Sequence, residues 1–255
     1  MARKPPPSAS HIETKKLLRV AGLPAVSALF AAAPQRVERL FFDQRMKSHV
    51  AAFCAELARS RKSYRLVDTD ELERIAGGVM HGGVVALAQP RPVPVLDPAE
   101  AERWARDGKL LVLLDGIGNP HNLGAIVRTA AFFGVPRIVL SDHPAQAGPS
   151  DASYRVAEGG LEHVALYRAS HFVQVLQRLR KSYRVVGASA EAGQPPAALA
   201  AGEKPFALVL GNEERGLPRA TLAACDAIVT IPGSGLVQSL NVAASAAILI
   251  HALVS

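Results

Sequence analysis

A chain of 255 residues with 49% hydrophobic content is long enough to bury two good cores and reads as two globular domains. No charged and then apolar leader opens it. Its longest apolar run, "AASAAILIHALV", is too short and too alanine-rich to span a bilayer, so no membrane span and a cytoplasmic location are expected. The net charge of +7 is uneven: residues 1–65 hold thirteen Lys and Arg against four acids, the remainder sixteen against eighteen. Such a front half suits a polyanion, nucleic acid above all, against the plainer reading of a solvated basic surface.

In chain order, "MARKPPPSAS" (1–10) is basic, proline-rich and without apolar periodicity, and is expected to be disordered. Then come a helix over 22–33, a strand "VERLFFD", a helix over 46–60, a strand "YRLVD", a helix "DELERIA" and a glycine-flanked strand "VVALA". "QPRPVPVLDP", with four prolines in ten residues, reads as a stiff extended linker. Helix "AEAERWARDG" and strand "KLLVLLD" open a second part that continues in βα units to the end. Cys54 and Cys225 provide no disulfide framework, and each reads as a small buried hydrophobe in a helix.

Three stretches of the second part place polar residues where a strand ends, which is where open α/β sheets bind ligands. In "DGIGNPHNLGAIVRTAAFFGV", Asn122 is placed to cap a helix beginning at Leu123, and Arg128 is a lone charge in an apolar helix. That arginine must reach a carboxylate, a phosphate or water, so a structural ion pair stands beside a functional role. Gly116 and Gly118 open a G-x-G, but His121 stands where a dinucleotide fingerprint needs its third glycine. The second stretch is "GNEERGLPRA" after the apolar run "FALVL", where Gly211 and Glu213 open either a site or a charged turn. The third, "IPGSGLVQSLNVAASAAILIHAL", sets Ser239 and Asn241 beside the start of a long apolar helix, where Ser239 could be no more than its cap. Nucleophile-elbow and P-loop motifs are absent, and the eight histidines lack metal-ligand spacing, so no metal is expected.

"NPHNLGAIVRTAAFFGV", "LVLGNEERGL" and "IPGSGLVQSLNVAASAAILI" resemble, in order and spacing, the three motifs of the SpoU family of tRNA and rRNA 2′-O-ribose methyltransferases, over roughly residues 109–255. The front part, with its closing "HGGVVAL", resembles that family's smaller RNA-substrate-binding domain. The resemblance implies an α/β fold: a C-terminal SPOUT methyltransferase domain with a trefoil knot, and a smaller N-terminal α/β domain. Threaded chains are rare exceptions, so the knot stands on the resemblance alone. It further implies S-adenosylmethionine as cofactor, tRNA or rRNA as partner, and a homodimer formed through the C-terminal domain. The chain then divides into a tail at 1–10, an RNA-binding domain at 11–89, a linker at 90–98 and a methyltransferase domain at 99–255.

Carried over by position, the RNA and catalytic roles fall on Asn122, Arg128, Glu213, Ser239 and Asn241, and cofactor-binding backbone on Leu210, Gly211, Ile231 and Leu240. "YRVAEGGLEHV" departs from the family pattern: Glu158 stands where a small residue is expected before a Gly-Ala pair, and Gly160 replaces that alanine. Arg215 also occupies a position where the family varies. Two rival readings are an RNA-binding protein of the same fold without catalysis and a methyltransferase acting on a base. An arginine is effectively always protonated, so Arg128 suits clamping a phosphate and steadying a developing alkoxide better than taking a proton.

Overall fold

The computed structural model describes residues 17–191, 193–199 and 202–254. The tail over 1–10 lies outside the described residues. The front half comprises β1 (Leu18–Ala21), α1 (Leu23–Ala32), β2 (Val37–Phe42), α2 (Ala51–Arg59), β3 (Ser63–Leu66), α3 (Thr69–Ala76) and β4 (Val84–Ala88). These strands form a sheet in the order β1-β4-β2-β3, with β4 antiparallel to both neighbours and β3 parallel to β2 at an edge where all four residues are exposed. Strand β1 was not expected, because "LRVA" is short and follows a lysine pair. Helix α3 shows how locally the half is encoded: Asp68 accepts the Glu71 N–H at 2.7 Å, and Gly77 ends the helix at φ 64°.

The second half continues with α4 (Pro98–Trp104), β5 (Leu111–Asp115), α5 (Pro120–Phe132), β6 (Arg137–Leu140), α6 (Asp151–Ala157), α7 (Gly160–His163), β7 (Ala165–Arg168) and α8 (Phe172–Leu179). It closes with β8 (Arg184–Ala188), β9 (Phe206–Gly211), α9 (Arg219–Ala223), β10 (Ala227–Val229) and α10 (Val242–Val254). The six strands form a parallel sheet, β10-β8-β9-β5-β6-β7. Strand β5 is fully buried, as its unbroken apolar run requires of a strand covered on both faces.

Three local expectations change. The proline stretch is extended but not free: Val95 bridges to Arg168 of β7, Leu96 donates to the Arg168 carbonyl at 2.8 Å, and Arg91 reaches the Leu161 carbonyl at 2.9 Å. The helix expected over 46–60 is shorter, since Asp43 caps a single 3₁₀ turn at Gln44–Met46 before α2 begins. Cys225 lies past the end of α9, in a loop. Its thiol donates to the Thr221 carbonyl at 3.3 Å, and burial, with Asp226 adding to it, pushes the group up to about 12. Burial also raises Cys54, so both thiols stay protonated and unreactive near neutral pH.

The two halves meet along α6 and α7. Asp151 accepts from the Arg19 backbone N–H and guanidinium, both at 2.9 Å. Arg36 of the front half binds Glu162 at 2.7 Å, with side-chain exposures of only 12% and 3%, and donates to the Tyr154 hydroxyl at 3.0 Å. Burial works against the Arg36 charge, but Tyr154 and Glu162 outweigh it and hold the guanidinium above its ordinary value. Beneath these contacts a single apolar cluster runs through both halves, from Val20, Val26 and Leu29 to Val112, Ile126 and Leu161.

Arg36→Ala leaves the Glu162 carboxylate buried without its partner, which costs about 3–5 kcal/mol. We expect a large fall in melting temperature. The paired replacement Arg36→Met with Glu162→Leu should recover most of it, because apolar groups of similar volume satisfy the same space. Thermal and urea melts of the three proteins measure this. A stable Arg36→Ala protein would remove the ion pair from the domain contact.

Candidate active site

The polar stretch after β9 is a tight loop organised by Asn212. Its side-chain oxygen accepts from the N–H groups of Glu214 (3.0 Å) and Arg215 (3.2 Å), its backbone pairs with Gly216, and its amide donates to the Gly116 carbonyl at 3.0 Å. The last bond ties the second motif to the first. Gly211 has no room for a side chain, since a Cβ there would stand 2.5–2.6 Å from the backbone of Gly216 and Leu217. All three charged residues of the loop are exposed, and of them Glu213 accepts a short hydrogen bond from the Asn122 amide.

Asn122 is not a cap. Pro120, with its preset φ, starts α5 three residues before the expected Leu123, and Asn119 caps the helix by accepting from the His121 N–H at 2.9 Å. Asn122 therefore lies in the first turn with its side chain free for other partners. Its amide reaches Glu213, and its oxygen accepts from the Asn241 amide at 3.2 Å. Asn241, not Ser239, caps α10, by accepting from the Ala243 N–H at 2.9 Å. A chain of side chains from all three motifs thus runs Glu213–Asn122–Asn241.

Glu213 and Ser239 also line a cavity of about 760 Å³, together with Leu210, Gly211, Ile231 and Leu240. It lies beyond the carboxyl ends of β8, β9 and β10, where the loops 211–218 and 230–241 face each other. Its size suits a small-molecule ligand. Among the described residues, Thr230 Oγ1 is the buried side-chain oxygen without a hydrogen-bond partner, and Thr230 lines this cavity. A buried hydroxyl left unpaired costs free energy that a ligand acceptor or donor would recover. Sequence reasoning passed over Thr230, which looks like an ordinary strand residue.

A smaller hollow, about 380 Å³, lies at the strand reversal next to β5, where such sheets commonly bind ligands. Its two carboxylates are already engaged: Asp115 accepts from the Thr221 hydroxyl at 2.7 Å, and Asp142 from the His171 backbone N–H at 2.7 Å. Among the described residues no cluster of His, Cys, Asp or Glu could hold a metal.

Arg128 does not line the cavity. It sits on α5 with its guanidinium 2.9 Å from the Glu158 carboxylate, the two side chains being 57% and 35% exposed. The lone arginine therefore does reach a carboxylate, that of Glu158.

The model of the SpoU rRNA methylase family matches residues 109–251. The chain belongs to this family. A second model, RNA 2′-O ribose methyltransferase substrate binding, matches residues 19–94. The chain is 33% identical over 241 residues to a 23S rRNA (guanosine-2′-O-)-methyltransferase, RlmB, of Acinetobacter baylyi, covering 90% of this chain and 94% of that protein. It is 36% identical over 233 residues to an uncharacterized tRNA/rRNA methyltransferase, YfiF, of Escherichia coli O157:H7, covering 91% of this chain. The match spans 66% of that relative's length, and 48% of a similar protein from Haemophilus influenzae. Among solved structures, the SpoU methyltransferase AviRb from Streptomyces viridochromogenes superposes with a TM-score of 0.71 at 25% identity, covering 94% of this chain and 89% of that one. An rRNA methyltransferase from Sinorhizobium meliloti shares the fold, with a TM-score of 0.75 at 23% identity over 95% of this chain and 88% of that one.

The Gly211 contacts are all with backbone, so Gly211→Ala must displace the 211–218 loop, at about 1–3 kcal/mol for overpacking. Titration calorimetry with S-adenosylhomocysteine should show binding about tenfold weaker or worse. Unchanged affinity would mean that this loop does not form the ligand's wall.

Proposed function

We propose that this chain transfers a methyl group from S-adenosylmethionine to a ribose 2′-hydroxyl of RNA. The observation that carries the reading is the Glu213–Asn122–Asn241 chain of hydrogen bonds at the edge of the 760 Å³ cavity, which draws one polar residue from each of three separated stretches of sequence to one place. Leu210, Gly211, Ile231 and Leu240 would hold the cofactor, through backbone that Gly211 brings close, and Thr230 offers its unpaired hydroxyl. The bound cofactor supplies an electrophilic methyl group. The chain's own task is to align the ribose oxygen with it and stabilise that oxygen as its proton leaves. Glu213, positioned by Asn122, and Ser239 face the cavity for this purpose, and Arg128 clamps an RNA phosphate.

In this reading the residues 11–89 recognise RNA, 90–98 join the halves, and 99–255 carry the methyl transfer. Ribosomal RNA is the substrate to test first, given the extent of the RlmB alignment. A knotted C-terminal domain and a cytoplasmic location belong to the same proposal; among the described residues no helix is long and apolar enough to cross a membrane. So does a homodimer. Phe132 (81% exposed), Ile248 and Val254 are exposed apolar side chains on α5 and α10, two helices joined by the edge contact of Phe133 with His251 at 5.5 Å.

The reading is tested by incubating the protein with methyl-labelled cofactor and unmodified transcripts of ribosomal and transfer RNA, then digesting to nucleosides. A labelled 2′-O-methylnucleoside is expected. Label on a base would establish the base-directed alternative, and tight RNA binding without label the non-catalytic one. RNA affinity should also fall steeply with salt, because the basic excess lies in the front half.

Arg128 separates role from stability. An ion pair this exposed contributes about 0–1 kcal/mol, so Arg128→Ala should barely change the melting temperature. Methyl transfer should drop by about a hundredfold or more, with cofactor affinity intact. Arg128→Lys keeps the charge but not the planar fork, and should recover little. An active but unstable Arg128→Ala protein would take Arg128 out of the reaction.

A further inference from the structure

Between α6 and α7 the chain turns through Glu158 at φ 45° and ψ 44°, a left-handed conformation that costs a non-glycine residue about 1 kcal/mol or more. The turn has little freedom to relax. A Cβ on Gly159 would stand 2.7 Å from the Ala28 Cβ of α1, and one on Gly160 would stand 3.2 Å from the Arg128 Cα. Pinned between α1 and α5, the backbone aims the Glu158 side chain at two arginines. One carboxylate oxygen lies 2.9 Å from Arg128 Nη2 and the other 3.8 Å from Arg155 Nη1. Arg155 in turn donates to the Met80 carbonyl at 2.6 Å, in the glycine-rich segment that leads into β4 of the front half.

Stability does not account for a glutamate here. Ion pairs as exposed as these contribute about 0–1 kcal/mol, which does no more than offset the strained backbone. What the carboxylate does is occupy the guanidinium edge that an RNA phosphate needs, since carboxylate and phosphate compete for the same fork of N–H donors. We propose that Glu158 is a positioning residue that stands in for RNA phosphate: it holds Arg128 in place and neutralised, and an RNA must displace it to reach the site. The proposal rests on the RNA reading of Arg128 above. Arg155 gives the displaced carboxylate a second cation, and this cation is already tied to the front half. Short RNA that offers Arg128 only a phosphate gains little by displacing Glu158, whereas RNA that also covers the front half gains enough.

The test uses the full chain and a fluorescent single-stranded oligouridylate of about 20 nucleotides, titrated by anisotropy at several salt concentrations. Glu158→Gln should tighten binding about three- to tenfold at low salt and steepen the log–log salt dependence by up to about 0.7, because in the wild type the displaced carboxylate takes up a cation that offsets the one released from the phosphate. Glu158→Asn, whose side chain tolerates left-handed backbone, should do the same and covers the case of a poorly folded Gln variant. In an Arg128→Ala background, Glu158→Gln should change affinity by less than about twofold, because the two residues act as one unit. Unchanged affinity and slope in both Glu158 variants would overturn the proposal, as would equal tightening without Arg128. Wild-type protein that binds the oligomer at no salt concentration would overturn it together with the RNA reading. Binding without methyl transfer leaves the proposal standing and removes only the catalytic assignment.

Discussion

The seven-residue helix α6 and the turn that follows it are the joint on which the molecule depends. Within twelve residues, Asp151 holds Arg19, Tyr154 and Glu162 hold Arg36, Arg155 holds the Met80 carbonyl and Glu158 holds Arg128. These bonds differ in weight. The Arg36–Glu162 pair is withdrawn from water, so each charge depends on the other. The Glu158 contacts are wet and weak, and their worth lies in what they occupy. One short segment thus does two kinds of electrostatic work, rigid on the side facing the front sheet and displaceable on the side facing α5.

The cavity rests on a different principle. Its walls are loops, and loops keep their shape only if their backbone groups find partners. Here Asn212 supplies them: it closes its own turn and, through the Gly116 carbonyl, links the loop after β9 to the loop after β5. On the other side Gln146 exchanges bonds with the N–H and carbonyl of Ile117. The loop after β5 is therefore braced from both directions, and through Asn212 it holds in turn the loop that carries Glu213.

Much of this was legible in the residues. The unbroken apolar run of β5 reads directly as a buried parallel strand, and the changes from strand to polar loop mark the three stretches that meet at the cavity. Caps were harder to read. With Asn119, Asn122, Ser239 and Asn241 all near helix starts, composition alone does not say which side chain turns back on its own helix, and the fixed φ of Pro120 decided the first case. Partners distant in sequence left no trace at all. Nothing local connects Arg36 with a glutamate 126 residues away, or marks Thr230 as the hydroxyl left unpaired. Glu158 stood out as an unexpected residue, but its meaning required knowing that Arg128 lies opposite.

The apolar cluster that joins Val20 and Leu29 to Val112 and Leu161 bears on how the chain comes apart. Two separately recognisable sequence units would ordinarily be two units of unfolding, each with its own core and a polar seam between them. Here the seam is core. Separating the halves exposes apolar surface as well as breaking ion pairs, so neither half loses structure without weakening the other. The shared cluster therefore couples the unfolding of the two halves. A cut within the proline stretch would leave each half a smaller cluster of its own, with its share of the common cluster opened to water.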